Sequence, residues 1–130
     1  AKLVSEHVSD SVNPPEKIVC SGANRAQSTA NYFKKAWNIS ESDFITNNEL
    51  YDFSGQQVMS VIKGLKDKWN TVMIVGHNHA FTSIANMLGS TYMDNLPTCG
   101  FVVIQFEEDS WSKITVGTTL KTIFPRHLKE

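Results

Sequence analysis

Two side chains, Arg25 and His77, stand where an apolar run gives way to a helical pattern. Ahead of His77, Thr71-Val72-Met73-Ile74-Val75 is β-branched and apolar and runs straight into Gly76. After it, Phe81, Ile84, Ala85 and Leu88 recur at helical spacing, with Gly89 as the stop. This pattern predicts a buried parallel strand, a tight turn and a helix. Lys17-Ile18-Val19-Cys20 is a second strand, closed by Ser21-Gly22, and a helix starts near Asn24. In that helix Ala26, Ala30, Phe33 and Trp37 share one face. Arg25 falls in its first turn, where a cation works against the helix dipole. A residue placed against its local preference points to a ligand. The plainer alternative is an arginine lying over the surface.

If both strands are parallel and share a sheet, both junctions open on one edge. Ligands bind beyond the carboxyl ends of strands in such sheets. A guanidinium, an imidazole and two helix N-termini would then converge, which is a phosphate site in outline. Arginine binds phosphoryl oxygens in a bidentate way, and helix N-termini favour anions. A metal site is the weaker reading of His77 and His79, because no third ligand stands at a sensible spacing. His7 lies in a helical pattern and is expected at the surface.

These junctions need a scaffold, and the chain can supply one. It has 130 residues, 41% hydrophobic and 19% charged, enough for one domain with one core. The formal net charge of −1 gives no general attraction to nucleic acid or to an anionic membrane. No apolar stretch approaches the roughly 20 residues of a membrane helix. Cys20 and Cys99 sit in or beside apolar runs and are expected as reduced thiols in a cytoplasmic protein. Residues 1–12 form a short amphipathic helix ended by Asn13-Pro14-Pro15. Phe44-Ile45-Thr46 is a short edge strand, and Glu49 to Phe53 is a loop or turn. The spacing of Val58, Ile62, Leu65 and Trp69 predicts a third helix over 55–69, with Lys63, Lys66, Asp67 and Lys68 on a solvated face. Residues 93–97 are loop. Phe101 to Phe106 is a strand expected to be buried on both faces. After a turn at 107–110, Leu120 to Phe124 is the last strand, antiparallel to its neighbour. The order predicts a three-layer α/β/α sandwich with a mostly parallel sheet and one antiparallel strand.

Two stretches carry a resemblance. Cys20-Ser21-Gly22-Ala23-Asn24-Arg25-Ala26-Gln27-Ser28-Thr29-Ala30 resembles the S-S-P-x-x-R-A-x-Q-T-A element of the histidine phosphatase (phosphoglycerate-mutase-like) superfamily. Val75-Gly76-His77-Asn78 resembles its V-G-H-N element. The separation of the two, Glu49-Leu50-Tyr51, and the Leu96-Pro97-Thr98-Cys99-Gly100 loop resemble the small bacterial phosphohistidine-phosphatase branch, the SixA type. Gly22 and His79 depart from the pattern, standing where proline is common.

The resemblance implies that Arg25 is a phosphate ligand and that His77 hydrogen-bonds the phosphoryl group and stabilises its charge. It implies that Asn78 supports that histidine, and Ser21 and Asn78 are expected to bind substrate together with Arg25 and His77. It implies no metal and no cofactor. Larger members use a carboxylate near Glu49 or Asp52 as the acid, which makes Glu49 a candidate. In the family the nucleophile is another histidine, in an Arg-His-Gly motif at the end of the first strand. No Arg-His-Gly occurs here. Ser5-Glu6-His7-Val8 is no substitute, since no strand precedes it. The first strand, placed centrally in the family, is expected upstream of Ala1, so the chain is expected to be the greater part of a longer protein. Its absence would leave two apolar strand edges unpaired. The implied function is a metal-independent phosphatase that acts on a protein phosphohistidine or a small phosphoester through a phosphohistidine intermediate, with its nucleophile upstream of Ala1. The alternative is a phosphate-binding module that has lost its nucleophile. A mutase fits less well, because the chain lacks the long insertions of that branch.

Overall fold

The computed structural model describes residues 2–50, 55–76, 78–97 and 100–125, with Asn78 and His79 described by their backbone alone. The predicted order of helices and strands is found: α1 (Lys2–Ser11), β1 (Lys17–Cys20), α2 (Asn24–Trp37), β2 (Phe44–Thr46), α3 (Gln56–Lys63), β3 (Val72–Val75), α4 (Asn78–Leu88), β4 (Phe101–Gln105) and β5 (Thr118–Ile123). Short 3-10 turns lie at Glu41–Asp43, Asn48–Leu50 and Trp111–Lys113.

Alternation along β1 separates two cores. Ile18 and Cys20 face Val4 and Val8 of α1 and Ala26, Ala30 and Phe33 of α2. Val19 faces the opposite layer, with Val58 and Ile62 of α3 and Ile84 and Leu88 of α4. The helices therefore cover both faces, and the architecture is a three-layer α/β/α sandwich. His7 is exposed on α1. No helix among the described residues is long and apolar enough to cross a membrane.

The strands differ from the single expected sheet. β2, β1 and β3 form a parallel three-stranded sheet in that order, with Cys20 opposite Thr46 on one side and Val75 on the other. β4 and β5 form a separate antiparallel pair. β3 ends the first sheet and β4 the second, and among the described residues no strand joins them. Val72, Met73 and Ile74 of β3 are consequently half-buried, as are Phe101 to Ile104 of β4, where full burial is expected from sequence.

The third helix is also shorter than its periodicity predicts. It stops at Lys63 because Gly64 takes a non-helical conformation (φ −92°, ψ 1°) while its N–H still closes on Ser60 and Val61. Trp69 therefore lies on a following turn, held from outside. Its carbonyl accepts from Trp111 Nε1 at 2.9 Å, and Lys17 and Lys66 lie over its ring. Asp67 is not merely solvated: its carboxylate accepts from the Trp111 N–H and the Ser110 hydroxyl, both at 3.1 Å.

Candidate functional site

Parallel pairing in register brings the carboxyl ends of β1, β2 and β3 to one edge. Two backbone bonds carry the pairing one residue past the strands. The Ser21 N–H donates to the Val75 carbonyl at 2.9 Å, and the Asn47 N–H donates to the Cys20 carbonyl at 2.8 Å. The three segments that leave this edge are thus neighbours from their first residue.

The two glycines show how close they come. A Cβ on Gly22 would meet the Asn48 Oδ1 at 2.1 Å, so the loop after β1 lies against the turn after β2. A Cβ on Gly76 would stand 2.6 Å from the Phe81 ring and 3.3 Å from the Leu50 carbonyl. The exit of β3 is thus pressed against the same turn and against α4. Only glycine permits this approach.

Ser21 is fully buried in the first loop. Its hydroxyl accepts from the Ala23 N–H at 3.2 Å, and its carbonyl accepts from Gln27 Nε2 at 3.0 Å. Gln27 Nε2 also reaches Thr46 Oγ1 at 3.2 Å and Cys20 Sγ at 3.6 Å. One amide from the first turn of α2 therefore ties the ends of β1 and β2 to the helix. This role escaped the sequence reading, in which Gln27 is only part of a motif. The signal available was a long amide in the helix turn that follows a strand end. Cys20 is a free thiol beneath this loop, and burial pushes its pKa up to about 12.

Arg25 is the second residue of α2 and is exposed. Ala23 precedes the helix without a side-chain cap, and no acidic residue occupies the first turn. The first N–H groups of α2 and the guanidinium thus leave this edge positive and without a capping carboxylate. Among the described residues Arg25 has no ion pair. Glu49 lies exposed on the Asn48–Leu50 turn, where its N–H donates to Asn47 Oδ1 at 2.9 Å. Asn78 opens α4 directly beyond the β3 exit. His77, Asp52 and Cys99 lie outside the described residues. Arg25, Ser21, Glu49 and the start of α4 are therefore all borne by the three neighbouring exits. An oxyanion facing this edge would meet a guanidinium and an uncapped helix N-terminus.

The α/β/α sandwich defines the structural class, and solved structures superpose on it. The SixA protein of Agrobacterium tumefaciens, assigned as a phosphohistidine phosphatase, superposes with a TM-score of 0.76 at 20% identity. The likeness spans 95% of this chain and 77% of that one. The corresponding protein of Nakamurella multipartitia gives a TM-score of 0.78 at 16% identity, over 95% of this chain and 78% of its own. The chain thus has the fold of the SixA-type, phosphoglycerate-mutase-like proteins. No family model and no curated protein matches the sequence.

Proposed function

We propose that the chain is the phosphate-binding body of a metal-independent phosphatase whose substrate is a protein phosphohistidine or a small phosphoester. The observation that supports this most is the shared edge. Arg25 on an uncapped helix start lies on the exit neighbouring that of Val75-Gly76, which His77 follows in sequence. The SixA-type fold and the two motifs support it further.

In this reading an imidazole nitrogen, supplied upstream of Ala1, attacks phosphorus as the P–N or P–O bond to the leaving group breaks. Arg25 holds two of the non-bridging oxygens, and His77 donates to the phosphoryl group as its charge spreads. Asn78 supports His77, and the buried Ser21 shapes the loop that binds phosphate. Glu49 delivers a proton to an oxygen leaving group. A nitrogen leaving group needs less acid help. Water then attacks the phosphoenzyme, releasing inorganic phosphate and restoring the free imidazole.

The test is phosphate release from p-nitrophenyl phosphate and from a phosphohistidine-bearing protein. It compares the 130-residue chain with a form extended upstream of Ala1. Release is expected from the extended form alone. Arg25→Ala in that form should lower turnover by about 10²–10³-fold, the size of losing one charge-stabilising donor. Normal turnover in Arg25→Ala would remove Arg25 from the site. Phosphate binding without release in either form would favour the binding module.

A further inference from the structure

The turn that leaves β2 is anchored at both ends. The Asn47 N–H donates to the Cys20 carbonyl at 2.8 Å. Leu50 is fully buried, and its N–H closes on the Asn47 carbonyl at 3.1 Å. The Asn47 side chain is used inside the turn, where its Oδ1 accepts from the Glu49 N–H at 2.9 Å. These bonds and the buried leucine set where the backbone of Asn48 stands.

Asn48 is exposed, and among the described residues its carboxamide has no hydrogen-bond partner. It lies over Gly22. The three atoms nearest the place of a Gly22 Cβ all belong to that carboxamide: Oδ1 overlaps it, Cγ stands at 3.3 Å and Nδ2 at 3.8 Å. Among the described residues Gly55, not Gly22, has the positive φ that would itself call for glycine. The need for glycine at 22 therefore comes from Asn48. Any other residue there, proline included, carries a Cβ and would push the carboxamide away. Oδ1 faces the Gly22 backbone, and the Nδ2 amino group is the outer end.

Gly22 joins the buried Ser21 to the start of α2, in whose first turn Arg25 stands. Gln27 keeps loop and turn together, since its amide reaches both the Ser21 carbonyl and Thr46 Oγ1. A neutral amide with two N–H donors is thereby seated over the loop that leads to Arg25. We propose that Asn48 is a further oxyanion ligand at this edge, its Nδ2 donating to a phosphoryl oxygen beside those held by Arg25, with Gly22 making room for it. The inference deepens the phosphatase reading and rests on it for the ligand. A neutral donor suits this position because Glu49 is the next residue. A lysine at 48 would favour the ionised form of Glu49 and so oppose its service as an acid. A carboxylate at 48 would repel the phosphoryl group. A carboxamide binds the oxyanion and does neither.

Calorimetric titration of inorganic phosphate into the form extended upstream of Ala1 tests it, alongside urea unfolding of the same variants. Asn48→Ala should weaken phosphate binding about 10- to 100-fold, the scale of one hydrogen bond to a charged group. Gly22→Ala should weaken it as much, because it displaces the same carboxamide. The double variant should then bind no worse than either single one. In urea, Gly22→Ala should lower the unfolding midpoint of the wild type and no longer lower it in the Asn48→Ala background. Unchanged phosphate affinity in Asn48→Ala would overturn the proposal, and so would losses that add in the double variant. An equal fall of the midpoint in both backgrounds would show that Gly22 does not make room for Asn48, and would overturn it too. Weakened binding in Arg25→Ala beside normal binding in Asn48→Ala would remove Asn48 alone. Normal binding in Arg25→Ala, or a wild type that binds no phosphate, would instead remove the phosphate site and both readings with it.

Discussion

Gln27 fixes the geometry of the loop that follows β1. Its amide spans the Ser21 carbonyl and the Thr46 hydroxyl, joining two strand ends to the helix that carries Arg25. Gln27→Leu leaves those acceptors without the donor. It should cost about 1–2 kcal/mol in urea unfolding, the scale of one to two neutral hydrogen bonds. In the extended form it should also lower turnover, since Arg25 stands two residues away on the same helix. An unchanged unfolding midpoint would remove Gln27 from this role. Cys20 gives a second test at this scale. Its thiol is raised to about 12 by burial from an ordinary 9.0, so the unfolded chain loses the proton first as pH rises. The associated stability is complete below pH 9.0 and declines towards pH 12. The urea midpoint should therefore fall between neutral pH and that range, and less so in Cys20→Ala. Under native conditions near neutral pH, iodoacetamide should leave Cys20 unlabelled, as a buried thiol with little thiolate demands.

The elements matter through their ends. The three exits from β1, β2 and β3 meet because glycine occurs at two of them. At Gly76 the neighbours are an aromatic ring and a backbone carbonyl. Gly76→Ala should therefore destabilise by about 1–3 kcal/mol, the usual cost of overpacking, seen as a lower thermal midpoint. Gly22→Ala meets the movable end of the Asn48 side chain and should cost less. A larger loss at Gly22 than at Gly76 would contradict this account of the exits. Helix α3 shows the same dependence on ends. Its apolar spacing continues to Trp69, but Gly64 releases the chain into a turn that Asp67 and Trp69 fasten to Ser110 and Trp111.

At the scale of the molecule, the two sheets are held together by side chains rather than by strand pairing. Phe33, only 2% exposed, stacks on Phe101 at 5.6 Å between ring centroids, and Trp37 packs on both rings. This cluster attaches β4 to the α1–α2 layer. Phe33→Ala should cost about 3–5 kcal/mol, as large core truncations do. Amide exchange should show β4 and β5 opening before the three-stranded sheet. Simultaneous opening would mean that the sheets are coupled by something other than this cluster.

Periodicity alone determined the order of helices and strands, because 3.6- and 2-residue patterns reflect burial that the sequence carries directly. It also brought Arg25 to a helix start and His77 to the end of an apolar run, since strand-to-helix junctions are punctuated locally by Gly22 and Gly76. The motif resemblance led to the SixA-type fold. Length of helix was less legible: the apolar repeat at Leu65 and Trp69 is satisfied by packing on a turn, and periodicity does not distinguish that from a helix. Half-burial of β3 and β4 was not legible at all in their apolar runs, because burial of a strand depends on whether a neighbour bonds its edge. The resemblance already implied two unpaired strand edges, but only the tertiary structure decided that the three exits touch and that Gln27 ties them. Those are relations between segments distant in the chain, set by packing rather than by any local preference.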